Sequence, residues 1–192
     1  MSESVVVACR EIIDAVYRAA RMGGAQDGTA SLLGRTTCFA AGQLGRGLAG
    51  VVDTFEAGRL PLIGFASVAR SLAPSAQHNP VAIEDEHRVG DIAYSALGAS
   101  QRGLIIHLEV EGELLDPQRW LQPELAEASV SSLTCLPGQI AAETNDRVRA
   151  RHTEVLREGL AVEAPTWVRL IEIASRYLVQ EAAIDAVDNP TT

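Results

Sequence analysis

Ile106-His107-Leu108-Glu109-Val110-Glu111 alternates apolar and polar side chains at every step. A period of two marks a strand with one buried and one solvated face. Gly112 then allows a turn into Leu114-Leu115, and Asp116-Pro117 breaks the chain. Working outward, Val130 to Leu136 reads as a weaker strand ended by Pro137-Gly138, and Val81 to Ile83 as a short one. Between Gln118 and Ala128 the sequence has room for a helix, and residues 75–80 read as a loop. The strands thus fall in the second half of the chain.

The first half predicts helices. Val5, Cys9, Ile12, Ile13, Val16, Tyr17 and Ala20 recur at helical spacing and stop at Gly23-Gly24. Thr29 is a candidate cap for a helix of about twenty residues, lined by the small residues Gly34, Cys38, Gly42, Gly45 and Ala49. Interior glycines cost a helix about 0.5–1 kcal/mol each, so a second helix packed closely on that face is the expected compensation. Short helices follow over Val51 to Ala57 and Phe65 to Leu72. Val89, Ile92, Ala93, Ala96 and Leu97 form a further stripe, closed by Gly98. Near the end, Pro165 suits a first helical position. Trp167, Leu170, Ile171, Ala174, Tyr177 and Leu178 predict a buried stripe that frays after Glu181.

Helices, then mixed elements, then strands, then a helix indicate an α+β fold rather than regular βαβ alternation. The expectation is one domain over residues 1–192: an N-terminal helical layer to about residue 73, packed on a small, mostly antiparallel sheet in a mixed part from about 80 to 180, with a closing C-terminal helix.

Composition narrows the chemistry. All sixteen basic residues are arginine, and there is no lysine. Lysine Schiff bases, a Walker-A lysine and a Ser-Lys dyad are therefore excluded. A compositional bias explains that absence most cheaply. Its consequence is that every strong cation is a guanidinium, suited to carboxylate pairing and not to proton transfer near neutral pH. The net charge of −9 repels nucleic acid. Three cysteines, odd in number and far apart, fit a reducing cytoplasm, with Cys38 and Cys135 expected as inert buried thiols. No apolar run approaches a membrane span, and no signal peptide is evident.

Among motifs, Gly45-Arg46-Gly47-Leu48-Ala49-Gly50 matches G-x-G-x-x-G, but it follows helical sequence and no acid stands about twenty residues on. Close helix packing is the expected use. Glu84-Asp85-Glu86-His87-Arg88 brings acid, imidazole and guanidinium together: His87 as acid/base, Glu86 orienting it, Arg88 holding an anion. The same run is also an ordinary helix start. His107, Glu109 and Glu111 share one strand face, more often a solvated face than a metal site. Arg147, Arg149 and Arg151 alternate with Val148, Ala150 and His152, as on a strand, where three guanidiniums would face one carboxylate, phosphate or acidic surface. Val148, His152, Val155 and Leu156 suit a helix equally well. His78 beside Asn79-Pro80 suits a turn or a site.

Three stretches carry a resemblance: Glu11-Ile12-Ile13 with Ala19-Ala20-Arg21, Gly47-Leu48-Ala49-Gly50, and Trp167-x-x-Leu170 running into Ala174-x-x-Tyr177-x-Val179. In these the chain resembles a bacterial domain-of-unknown-function family, number 3726. That family's end continues with proline, serines and a Gly/Ala-rich stretch, where this chain has Gln180-Glu181-Ala182-Ala183 and Asp188-Asn189-Pro190. The resemblance implies a cytoplasmic protein and assigns no reaction and no functional residues.

Two functional expectations follow. The first is an accessory or assembly subunit of a cytoplasmic metabolic enzyme complex, not catalytic on its own, joined to itself or to a second subunit. The second is a small enzyme acting on an anionic carboxylate metabolite, with His87 and Glu86 as the acid-base pair and Arg88, Arg147, Arg149 and Arg151 holding the substrate. Neither calls for a cofactor, a metal, nucleic acid or a membrane.

Overall fold

The structure is a computed structural model that describes residues 3–61, 64–73, 78–83, 86–100 and 103–188, with side chains as far as Tyr177. The fold is α+β, with two antiparallel sheets. Ser4–Val7 is β1 and pairs with β6, Leu160–Glu163, with Val5 opposite Val162. The expected first helix therefore begins later than its periodicity suggested. The β-branched run at Val5-Val6-Val7 finds a strand partner 155 or so residues on, and tertiary pairing overrides the local pattern. Helix α1, Cys9–Met22, follows, and the Glu11 carboxylate accepts the Ala8 N–H at 3.0 Å to satisfy its start.

Helix α2 spans Asp27–Leu44, so Thr29 lies inside it and does not cap it. Gly45 stops it in the left-handed region at φ 66°, and the Arg46 N–H reaches back to the Ala40 carbonyl at 3.1 Å. The G-x-G-x-x-G match is thus a helix stop leading into α3, Ala49–Glu56. Close packing on small residues occurs earlier, at Gly34, which lies against the Ile13 backbone of α1. α4, Phe65–Ser71, and the two-residue β2, Val81–Ala82, come next. α5, Val89–Ser100, runs through Gly98 and is not closed by it.

β3, Leu104–Val110, turns through Glu111 and Gly112, both left-handed at φ 53° and 81°, into β4, Glu113–Leu115. Two consecutive positive φ angles are what a tight hairpin requires. Asp116 caps the one-turn α6, Pro117–Trp120, by accepting the Arg119 N–H at 3.0 Å. Pro123 prevents a longer helix there, leaving a single 3-10 turn over Pro123–Leu125. β5, Val130–Pro137, is central in a sheet of order β2-β5-β3-β4, with Ile106 opposite Cys135 and Leu108 opposite Leu133.

The arginine segment is helical: α7 spans Ala142–Glu158. α8, Ala164–Asp188, continues as helix beyond the expected fraying point. Its buried stripe holds Leu170, Ile173 and Ala174, but Ile171 is exposed, and the Leu178 side chain lies outside the described residues.

Apolar residues gather into two cores. One joins α1, α2, α3 and α8 to the β1–β6 ribbon around Ile12, Val16, Leu33, Val52 and Leu170. The other joins α4, α5 and α6 to the four-stranded sheet around Ile92, Ile106, Leu108, Trp120 and Leu133. The closing helix therefore covers the N-terminal helices and the small ribbon, not the larger sheet. α2 serves both cores, with Leu33 in the first and Leu44 in the second.

Candidate functional site

α7 is polar on nearly every side, and only Thr144 and Val155 are buried along its seventeen residues. A helix of that composition gets little stability from burial and depends on specific contacts. Gln43 of α2 donates through Nε2 to the Val148 carbonyl at 3.0 Å, and Arg151 donates through Nε to the Gly42 carbonyl at 2.8 Å. Val155 sits over Gly42 in the first core, while Val148 packs against the second. α7 thus bridges the seam between the two cores.

The seam is hollow. At about 100° per residue, Asn145, Val148, Arg149, His152 and Leu156 lie along one stripe of α7. Arg35, Cys38, Phe39 and Gly42 form the facing stripe of α2. Tyr94 and Leu97 of α5 line the space between, with Tyr94 edge-on to Phe39 at 5.7 Å between ring centres. Two cavities result. A mainly apolar one of about 250 Å³ runs from Cys9 and Ile13 to Val155 and Leu156. A larger one of about 500 Å³ reaches Asn145, Arg149 and Gln139. Phe39, Gln43, Tyr94 and His152 line both, so the two are ends of one cleft.

Among the described residues, the Asp, Glu, Arg and His side chains lining the two ends are Arg35, Arg149 and His152, with no carboxylate. A third hollow of about 320 Å³, between α7 and Gly42–Gly45, is lined by Arg147 and Arg151 and, among the described residues, by no carboxylate. In a chain of net charge −9, guanidiniums thus line these hollows. Arg151 also pairs with Glu154 at 2.9 Å. The side chains of Arg35, Arg147 and Arg149 have no ion-pair or hydrogen-bond partner among the described residues. By contrast, Arg46 is held by Asp91 and Glu127, and Arg169 by Asp53 and Glu56.

Of the two readings left open for residues 147–151, the helix is the one found, and the single arginine face of the strand reading does not form. Arg147 and Arg151 lie one turn apart, and Arg149 points about 160° away from both by helix geometry. Accordingly Arg149 lines the main cleft and the other two line the smaller hollow.

The His87 cluster lies elsewhere. His87 is buried just before α5, its Nδ1 without a hydrogen-bond partner among the described residues, and Glu86 is exposed. No hydrogen bond joins the two among the described residues. Arg88 donates to Ser129 Oγ at 2.8 Å and to the Glu127 carbonyl at 3.1 Å, tying the start of α5 to the segment just before β5. None of these three lines the cleft, and Glu84 and Asp85 lie outside the described residues. His78, at φ 70°, makes a turn whose N–H bonds the Cys135 carbonyl at 3.0 Å. Residues 74–77, part of the expected 75–80 loop, likewise lie outside the described residues.

His107 and Glu109 are half-buried, and Glu109 Oε2 accepts from Ser132 Oγ at 2.5 Å. Among the described residues no group of His, Cys, Asp and Glu is placed to hold a metal ion. Nor is any helix among them long and apolar enough to cross a membrane.

The cleft residues that sequence reading passed over are Arg35, Gln43, Tyr94, Asn145 and His152. Asn145, Arg149 and His152 do carry a signal, a spacing of four and three, visible once the segment is taken as a helix. The contributions of α2 and α5 carry none, because those helices meet α7 only in the fold.

No family model, no curated protein and no solved structure matches this chain.

Proposed function

We propose that this chain binds an anionic small molecule with an apolar portion, a medium-length carboxylate being the simplest case, in the cleft between α2, α5 and α7. The single observation that carries the reading is the unpaired cationic lining of a half-apolar cleft on an acidic protein. Arginine is the cation best suited to bidentate carboxylate recognition. Apolar walls with a few polar groups are the usual make-up of a ligand site, and the two cavities are of suitable size. Binding, not acid-base catalysis, is the reading favoured, because among the described residues His152 is the one imidazole lining the cleft and no carboxylate lines it.

Calorimetric titration with octanoate, and with octanol as the neutral comparison, tests this. Octanoate should bind and octanol should not. Arg149→Ala should weaken octanoate binding at least about tenfold, the worth of one charge-assisted hydrogen bond. Arg157→Ala, outside the cleft, should leave it unchanged. Equal binding of acid and alcohol, or indifference to Arg149→Ala, would remove the reading.

A second reading, an accessory subunit of a cytoplasmic enzyme complex, is favoured by a different observation. β1 and β6 form a two-stranded ribbon that pairs with no other strand among the described residues, and Val6 on β1 is 68% exposed. An apolar strand edge of this kind pairs readily with another strand. Native mass measurement of the full chain decides it: a monomer at micromolar concentration that captures no second subunit counts against it. The likeness to domain-of-unknown-function family number 3726 is compatible with either reading.

A further inference from the structure

The thiols of Cys9 and Cys38 touch across the α1–α2 interface, Sγ to Sγ at 3.0 Å. Cys9 is the first residue of α1 and Cys38 lies in the middle of α2, so twenty-eight intervening residues bring them together only in the fold. Both are 7% exposed, and both line the apolar end of the cleft, where a small oxidant can reach them from solvent. A disulfide needs about 2.05 Å between sulfurs, so closing the gap takes roughly 1 Å of movement, within the reach of side-chain rotation. Cys135 provides the contrast. It is fully buried in β5, and no sulfur touches it among the described residues.

We propose that Cys9 and Cys38 are a dithiol–disulfide site, oxidised by hydrogen peroxide or an alkyl hydroperoxide, which reversibly staples the start of α1 to α2. Burial and contact with Cys9 push the Cys38 thiol up, and Cys9, the first residue of α1, is the attacking sulfur. Its sulfur attacks a peroxide oxygen: an S–O bond forms, the O–O bond breaks and hydroxide leaves, giving a sulfenic acid on Cys9. Cys38 then attacks that sulfur: the S–S bond forms, the S–O bond breaks, and the Cys38 proton leaves with the departing hydroxide as water. Over the two steps one peroxide is reduced to two waters (or to one water and one alcohol), and two thiols become one disulfide. A dithiol reductant reverses the exchange. The site rests on the thiol geometry alone, so it stands or falls independently of the ligand reading.

The test uses the full chain, folded, with stoichiometric hydrogen peroxide, an acid quench, alkylation of remaining thiols under denaturing conditions, and trypsin. The chain's arginines separate the three cysteines into the peptides Met1–Arg10, Thr36–Arg46 and Trp120–Arg147. The first two should appear linked, with the mass of two hydrogens lost, and the third alkylated. Linkage should vanish after a dithiol reductant, and should be suppressed when oxidation is done in concentrated urea. The oxidised protein should melt several degrees higher than the reduced one. Alkylation of both Cys9 and Cys38 after oxidation, their separate conversion to sulfinic acids, or equal linkage of Cys135 would overturn the proposal. In Cys9→Ser, Cys38 should stay unlinked, and its pairing with Cys135 would overturn it equally.

Discussion

Gly34 of α2 lies so close to the Ile13 carbonyl of α1 that a Cβ on Gly34 would sit 2.6 Å from that oxygen. The obstacle is backbone, which cannot rotate aside. Gly34→Ala should therefore force the helices apart and cost about 1–3 kcal/mol, despite alanine's better helix propensity. Gly42, on the same helix, faces only the Val155 methyls at 3.4 Å, an ordinary contact. Gly42→Ala should be neutral or gain up to about 1 kcal/mol. Urea unfolding midpoints at constant slope measure both. If the two substitutions shift the midpoint alike, close approach at Gly34 is not what sets the α1–α2 spacing.

Arg46, placed just past the end of α2, pairs with Asp91 and with Glu127, the latter at 2.8 Å. Asp91 also accepts the Arg88 N–H at 2.8 Å, closing the start of α5. The Arg46 and Asp91 side chains are mostly buried, so Asp91→Ala leaves a mostly buried cation short of a partner and should cost about 2–3 kcal/mol. Adding Arg46→Met should cost less than the sum of the two single changes. A double-mutant cycle by chemical denaturation gives the coupling, and strict additivity would mean the pair does not join α2 to α5.

Tyr17 donates its hydroxyl to Asp27 Oδ1 at 2.6 Å, between α1 and the start of α2. That hydrogen bond, helped by desolvation and by the Asp27 charge, pushes the phenol from 10.0 up to about 12. A raised folded value means the contribution is fully present below about pH 10 and is lost as pH rises toward 12. Phenolate absorbance should therefore show one tyrosine ionising late, and Asp27→Asn should bring it earlier. Three tyrosines ionising together near pH 10 in the native protein would contradict the bond.

Trp120 is fully buried, and its Nε1–H donates to the Ile106 carbonyl at 3.0 Å, anchoring the one-turn α6 to β3. Trp120→Phe keeps most of the apolar volume but leaves that carbonyl short of a donor. A loss of about 2–3 kcal/mol is expected, more than volume alone predicts. Thermal unfolding followed by circular dichroism checks it, and a change under about 0.5 kcal/mol would show the bond to be dispensable.

Much of this fold was legible in local pattern. The alternation from Ile106 to Glu111, the turn at Gly112, the stop at Gly23-Gly24 and the stripes of α1 and α5 depend on neighbours in sequence, and the structure has them. The failures share one cause. Val5 entered a strand because β6 supplies a partner far along the chain, and Gln118 to Ala128 broke up at Pro123, where no apolar stripe compensated. Ile171 stayed exposed because α8 meets the first core along a narrower face than its composition suggested. The cleft was legible only in part: Arg149 was singled out, while Arg35 and Tyr94 carried no mark of their own.

Sequence alone determined the class of the fold and the chemistry open to it. With no lysine, its strong cations are guanidiniums, and the period of two beside periods near four makes it α+β. Tertiary structure decided what those guanidiniums face. Whether an arginine is paired depends on which carboxylates the fold brings within a few ångströms, and Coulomb attraction at that range is set by distance and burial, not by position in the chain. Folding brought acids to Arg46 and Arg169 and, among the described residues, none to Arg35 and Arg149. It likewise placed Cys9 on Cys38 and left Cys135 alone, so that three similar thiols in sequence became one touching pair and one buried sulfur.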